Sequence, residues 1–328
     1  MGIRIAGTGS YTPDKVLTNF DLEKMVETSD EWIRTRTGIC ERHIAAPDQA
    51  CSDLALQAAT RAIDMAGLAV TDIDFIIVAS ISVDKIFPST ACILQSKLGA
   101  IQSGCVDIEA ACSGLLYGIE LATGLLRGHK KYRNILVIGA EKLSTLVDWE
   151  DRNTCVLFGD GAAAVILQRT DDGEDLLLAS EVKADGNYGD ILHVPAGGSA
   201  CPVSHATVDQ RLHYMRMAGQ EVFKLAVGSM VGASRNVMAE AGVTPEQIAW
   251  LVPHQANYRI LKAVASRLEV PEDRVFINLD KYGNTSAASI GICLDEIVRG
   301  GLVKKGDYLL LTAFGGGLTW GSLLLRWQ

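Results

Sequence analysis

Three pairs of segments, one from each half of the chain, repeat the same pattern in the same order. TDIDFIIVASIS (71–82) matches EQIAWLVPHQAN (246–257), an apolar strand-like run closing in polar residues. VDIEAACSGLLYGIELATGLLRG (106–128) matches INLDKYGNTSAASIGICLDEIVRG (277–300): a strand, a small-residue turn, an amphipathic helix and a terminal Arg-Gly. YRNILVIGAEKLS (132–144) matches GDYLLLTAFGGGLTWGS (306–322), a buried strand ending in small residues and a turn. The spacing is about 174 residues each time, close to half of the 328-residue chain. A chain that repeats itself over half its length is expected to fold as two copies of one unit.

The unit is α/β. Runs such as DFIIVAS, NILVIGA, AAAVILQ, AWLVPHQ and YLLLTAF are short and rich in Ile, Val and Leu, as in sheets covered on both faces. Between them lie helical patterns. CSDLALQAATRAIDMAG (51–67) has apolar residues three and four apart and ends at a glycine suited to a C-cap. The acidic TDDGED (170–175) is the natural junction, giving halves 1–174 and 175–328 in a layered architecture.

Composition removes several classes of function. At 48% hydrophobic and 21% charged, the chain can build a large core and is not disordered. A net charge of −9 argues against nucleic acid as a partner. MGIRIAGTGSYTP has no signal-peptide apolar region, and no run approaches the ~20 apolar residues of a membrane span. A cytoplasmic protein with reduced thiols is expected. The eight cysteines include no C-x-x-C and no zinc-type Cys/His spacing, so no metal site is expected.

Ligands of α/β sheets sit at strand ends. An internal two-fold brings equivalent ends of both copies to one place. Those ends carry Cys112 in the first half, and His254, Asn284 and Gly315–Gly317 in the second. A cysteine in such a chain is usually a small buried hydrophobe. Cys112, however, occupies a strand-to-helix turn among Ala110, Ala111, Ser113 and Gly114, where helix N–H groups and dipole lower a thiol pKa. His254 follows a strand that stops at Pro253, before a helix starting near Asn257; a lone histidine there is ordinarily structural. His43, His129, His193, His205 and His213 read as surface or loop residues. Asn284 is either an N-cap or a neutral donor to a developing oxyanion. AFGGGLTWGS (313–322) lacks the phosphate-loop lysine, and its glycines instead let a backbone N–H face a site. FGDGAAAVILQ (158–168) reads as a turn feeding a strand.

Two further stretches are ambiguous. TSDEWIRTRTGI (28–39) is a short helix capped by Ser29, with Trp32 and Arg36 on one face. It is either an ordinary amphipathic helix or a clamp whose indole stacks on a base while the guanidinium meets phosphate. NYRILKAVASRL (257–268) carries Arg259, Lys262 and Arg267 and no acid, so it is a solvated face or a docking surface for an acidic partner.

ACSG, VPHQAN, GNTSAAS, FGGGLTWGS and TSDEWIRTRTGI together resemble the β-ketoacyl-acyl carrier protein synthase III family, the initiating condensing enzymes of bacterial type II fatty-acid synthesis. The match runs in order over essentially the whole chain. It implies the thiolase-like fold, an internally duplicated α/β/α/β/α sandwich. It implies condensation of a short acyl-CoA, acetyl-CoA first, with malonyl-acyl carrier protein, and a homodimer. It implies no metal or redox cofactor, coenzyme A entering only as a substrate thioester. By resemblance, Cys112 is the acylated nucleophile, and His254 and Asn284 bind the malonyl thioester carbonyl. Gly316 shares an oxyanion hole with the Cys112 N–H. Trp32, Arg36 and Arg152 contact coenzyme A, while Gly219, Phe223, Asn257 and Phe314 line its tunnel. Phe87 and Leu115 belong to acyl pockets, Phe87 to the neighbouring subunit's. Lys224, Arg259, Lys262 and Arg267 dock the carrier protein.

Leu115 stands where the family often has an aromatic residue, and Gln220 where Asn is common. The acyl preference rests on Phe87, Leu115 and the loop 190–212. Rival readings are a specialised synthase III-like acyltransferase of secondary metabolism, a papain-type Cys–His–Asn hydrolase, and a thiolase-fold scaffold without activity.

Overall fold

A computed structural model describes residues 2–171, 173 and 175–328. The expected junction includes Asp172 and Glu174, which lie outside the described residues. Nine strands form the two main sheets: β1 (Gly2–Tyr11), β2 (Phe75–Ala79), β3 (Gly104–Ile108), β4 (Asn134–Glu141), β5 (Gly161–Thr170), β6 (Leu177–Ala184), β7 (Ile248–Pro253), β8 (Tyr308–Gly315) and β9 (Thr319–Arg326).

The first sheet runs β1-β5-β4-β2-β3 and the second β6-β9-β8-β7. The two agree strand for strand. The first two pairings in each order are antiparallel, and β4/β2 and β8/β7 are parallel. In the first sheet β3 adds a further parallel strand. The repeat predicts an equivalent strand near Ile277. It does not form: only a parallel bridge from Leu251 to Val275 marks the place. The chain turns instead into a short helix at Leu279–Tyr282, and the N–H groups of Asn278 and Leu279 are taken by the Gln255 side chain at 3.1 and 3.2 Å.

Six helices complete the layers: α1 (Asp30–Thr37), α2 (Cys51–Ala66), α3 (Gly114–Gly128), α4 (Gly219–Ala241), α5 (Tyr258–Leu268) and α6 (Ser289–Arg299). Helix α2 covers the outside of the first sheet, and α4 that of the second, with α5 against it. Helices α3 and α6 lie between the sheets, so the order is α/β/α/β/α. A helix enclosed on both sides has no polar face to spare. The first seven residues of α6, from Ser289 to Asp295, are accordingly all buried. Asp295 is tolerated because Thr8, Ser10 and Arg299 donate to it at 2.7, 2.7 and 2.8 Å. The inter-sheet core joins Leu116, Ile119 and Leu126 of α3 to Ile290, Leu294 and Ile297 of α6.

Each central helix is preceded by one turn of 3₁₀ helix, Ala111–Ser113 before α3 and Ser286–Ala288 before α6. The two turns pack against each other. The second also seats on β4 at Gly139, where a Cβ would stand 2.2 Å from the Ala287 carbonyl oxygen, so only glycine fits.

Candidate active site

Cys112 occupies the first of these turns and is 7% exposed. Sequence position suggests a thiol pKa lowered by the helix N-terminus. Burial dominates instead and pushes the thiol up to about 12, against the lowering influence of the Ser286 hydroxyl and of the residue's own N–H. Gly315, at the end of β8, backs the turn. A Cβ there would lie 2.7 Å from the Cys112 nitrogen. The N–H groups of Cys112 and Gly316 enter no turn or loop hydrogen bond among the described residues, and both residues face the same cavity.

His254 follows β7, 2% exposed, its backbone N–H donating to the Thr312 carbonyl at 2.8 Å. Its Nδ1 is 2.7 Å from the Ser289 hydroxyl. If that hydroxyl donates, the imidazole proton resides on Nε2. Burial holds the ring neutral, with its pKa down at about 3. Asn284 is fixed three ways. Its N–H donates to Leu157 at 2.8 Å, its carbonyl accepts from Gly159 at 3.0 Å, and its Oδ1 accepts from the Ser286 N–H at 2.8 Å. The side chain thus caps the second turn through its oxygen and keeps the Nδ2 donors for the cavity. The FGDG stretch, which reads as structural, supplies one of these anchors at Gly159, and Leu157 just before it another.

Two cavities meet at Cys112. The first, about 450 Å³, runs from exposed Arg36 and half-buried Trp32 to buried Cys112, His254 and Asn284. Gly219, Phe223, Asn257 and Phe314 are on its wall. Ser29 caps α1 as expected, accepting from the Trp32 N–H at 3.1 Å. Asn257 caps α5 and also donates to the Arg36 carbonyl at 3.2 Å, tying the two helices together. Arg152 is not on the cavity wall; its guanidinium lies 5.1 Å from the Trp32 ring centre, and that of Arg36 5.5 Å. Lys224, Arg259, Lys262 and Arg267 are all exposed. Arg259 donates to the Thr35 carbonyl at 3.1 Å, and Lys262 is 3.9 Å from Glu272.

Models of two parts of one family match the chain: 3-oxoacyl-[acyl-carrier-protein] synthase III over residues 106–186 and its C-terminal part over residues 238–327. The β-ketoacyl-[acyl-carrier-protein] synthase III of Caldanaerobacter subterraneus subsp. tengcongensis is 56% identical over 99% of this chain and 97% of that protein. The chain belongs to the β-ketoacyl-acyl carrier protein synthase III family. The crystal structure of the Aquifex aeolicus enzyme, at 50% identity, covers 99% of this chain and 100% of its own with a TM-score of 0.91. That of Pseudomonas aeruginosa, at 40% identity, covers 100% and 98%, also at 0.91. The fold is therefore the thiolase-like one of this family. The protein is an acyltransferase, a condensing enzyme that initiates fatty-acid synthesis.

The second cavity, about 400 Å³, lies beyond Cys112. Its apolar wall includes Ile81, Leu143, Leu146, Phe158, Leu192 and Met215. Leu115, expected on this wall, is not there: it is 1% exposed and packs into the inter-sheet core. Cys112 sits in the 3₁₀ turn ahead of α3, whereas Leu115 is on the helix itself and faces α6, 3.0 Å from the Cβ position of Gly291. Phe87 lines neither cavity and is 83% exposed. His193, which reads as a loop residue, does line the second cavity. Sequence reasoning also passes over Ser286, Ser289 and the buried Glu141. Among the described residues no group of three or more His, Cys, Asp or Glu is arranged to hold a metal ion. Nor is any helix among them long and apolar enough to cross a membrane.

Proposed function

We propose that the protein joins a short acyl group from acyl-CoA, acetyl-CoA first, to malonyl-acyl carrier protein, releasing coenzyme A and CO₂ and forming 3-oxoacyl-acyl carrier protein. The observation that carries this reading is a single cavity lined by Trp32 and Arg36 as well as by Cys112, His254 and Asn284. A thioester with a nucleotide handle spans that line. The adenine and phosphates engage Trp32, Arg36 and Arg152, and the pantetheine arm passes Gly219, Phe223, Asn257 and Phe314.

Cys112 sulfur attacks the thioester carbonyl, and the N–H groups of Cys112 and Gly316 hold the oxyanion. The carbon–sulfur bond to coenzyme A breaks, leaving acyl-Cys112. Malonyl-acyl carrier protein then docks on Lys224, Arg259, Lys262 and Arg267. Loss of CO₂ places negative charge on the thioester oxygen, which accepts from His254 Nε2–H and Asn284 Nδ2–H. A neutral imidazole suits this work, since it donates without surrendering its proton. The carbanion attacks the acyl-Cys112 carbonyl and the cysteine leaves. One cysteine serving two substrates in turn gives ping-pong kinetics.

Residues 1–174 contribute the nucleophile, and 175–328 the histidine and asparagine. The enzyme acts in the cytoplasm as a homodimer, with Phe87 reaching the partner's acyl pocket. The reaction calls on no metal or redox cofactor. An acetyl group leaves most of the second cavity unfilled, so longer or branched short primers are substrates to compare.

Intact mass after incubation with acetyl-CoA alone, with peptide mapping, tests the reading. One acetyl group on Cys112, discharged to acetoacetyl-carrier protein on adding malonyl-carrier protein, is the expected result. An adduct only with longer or branched acyl-CoA keeps the mechanism and changes the primer. No adduct with any acyl-CoA overturns the reading.

A further inference from the structure

Glu141 ends β4 with no exposed surface, directly behind the two turns. Its carboxylate is surrounded by neutral donors. Oε1 accepts from the Ser286 hydroxyl at 3.0 Å. Oε2 accepts from the hydroxyls of Ser82 at 2.6 Å and Ser80 at 3.3 Å, and from the Ile81 N–H at 3.2 Å. The ammonium of the adjacent Lys142 is turned away, onto the carbonyls of Ala46 and Gln49. A carboxylate buried without a cation is expensive to keep ionised. Burial raises its pKa to about 7, so its proton is exchangeable at neutral pH.

Ser286 connects this acid to the nucleophile. Its hydroxyl donates to Glu141 and interacts with the Cys112 thiol. It shares the second cavity with Cys112, and its N–H holds Asn284. The backbone of Ser286 is left-handed, φ 48°, a conformation a non-glycine residue keeps only when its surroundings impose it. The other titratable group near Glu141 is Cys51, at the start of α2. Its thiol donates to the Ala140 carbonyl at 3.2 Å and lies 3.5 Å from the Ser80 hydroxyl.

We propose that Glu141 stores the proton of Cys112, exchanged through the Ser286 hydroxyl; this rests on Cys112 being the acylated nucleophile. As the sulfur–acyl bond forms, the thiol proton passes to Ser286 Oγ while the Ser286 proton passes to Glu141 Oε1. The bond from the acyl carbon to coenzyme A breaks, and the departing thiolate takes a proton from water. In the second half-reaction the tetrahedral adduct expels Cys112 as thiolate, and the stored proton returns along the same path. Glu141 and Cys112 together then carry at most one negative charge, on carboxylate or on sulfur, and none while the acyl group is held. Ser286 shares the cavity of the reacting sulfur, while Glu141 acts through Ser286.

Single-turnover acylation by acetyl-CoA, followed by intact mass across pH, tests this on the wild type, Glu141→Gln, Glu141→Asp, Ser286→Ala and the Gln/Ala double variant. Alkylation of Cys112 by iodoacetamide is measured in parallel. Ala111 adopts the same backbone as Ser286, so the alanine substitution is compatible with the fold, and melting curves check it. The wild-type rate should rise through a near-neutral inflection. Glu141→Gln and Ser286→Ala should each lose that inflection and slow acylation about 10²-fold. Glu141→Asp should restore part of it, and the double variant should be no slower than either single one. Wild-type rate and profile in Glu141→Gln would overturn the relay alone. So would additive slowing with the inflection kept, which is what a purely structural acid would give. A wild type that takes no acyl group on Cys112 overturns the nucleophile reading and the relay with it.

Discussion

Ala111 and Ser286 hold the same left-handed backbone, φ 44° and 48°, at matching places in the two halves, and neither is glycine. Each opens the 3₁₀ turn ahead of a central helix. The strain of roughly 1–3 kcal/mol per residue is borne because the turns brace each other. A β-branched side chain cannot share that conformation. Ala111→Val should lower stability by about 2 kcal/mol and slow acylation of the next residue, Cys112. Urea midpoints and single-turnover acylation check both.

Gly315→Ala puts a methyl group 2.7 Å from the Cys112 nitrogen and 3.1 Å from the Ala110 carbonyl oxygen. The turn must shift, at a cost of about 1–3 kcal/mol. Because one donor of the proposed oxyanion hole shifts with it, acylation should fall about 10²-fold, more than the stability loss accounts for. Acylation rate and melting temperature together separate the two effects.

His254 is held neutral well below its ordinary pKa of 6.5, down to about 3. Between those values the unfolded chain binds a proton that the fold refuses. Stability from this group is therefore full above pH 6.5 and lost as pH falls toward 3, by about 1.4 kcal/mol per pH unit. Urea midpoints between pH 6.5 and 5 should decline more steeply for the wild type than for His254→Asn. Condensation of pre-acylated enzyme should show no inflection from this residue above pH 5.

Trp32→Ala removes the plate on which Arg36 and Arg152 both rest. The KM for acetyl-CoA should rise about 10-fold with kcat nearly unchanged, since the ring is remote from the sulfur. An acetyl thioester of pantetheine, lacking the nucleotide, should show no difference between variant and wild type.

Arg259→Glu combined with Lys262→Glu reverses two charges on the exposed face of α5. The KM for malonyl-carrier protein should rise several-fold and lose much of its dependence on salt. Acylation by acetyl-CoA should stay within a factor of two. Steady-state kinetics at two ionic strengths read both.

The duplication made the architecture legible, because repeated strand, turn and helix patterns survive where individual residues do not. It also exposed Cys112, His254 and Asn284, each at a strand end or beside a small-residue turn. It misled where the copies have diverged, as at Ile277, where a side chain now answers the backbone groups a strand would use. Leu115 was misjudged because Cys112 lies in the turn ahead of α3 and not on the helix, so its spacing from Cys112 does not give the face on which Leu115 falls. Glu141 was invisible for another reason. At the end of NILVIGAE it resembles any polar residue closing a strand, and its partners come from positions 80–82 and 286, which only the fold unites.

At the middle of the paired turns the first has Cys112 and the second Ala287. On the proposed reading, a scaffold that twice builds a seat for a nucleophile fills it once, so each chain should carry a single acyl equivalent. The empty seat has become the bracket for the occupied one, through Ser286 and Asn284 on the walls of the cavities that meet at Cys112. Neither half is then a portable module. A chimera joining one half of this chain to the other half of a distant relative would inherit two sound sheets and a mismatched seam, and would be expected to fold before it could catalyse.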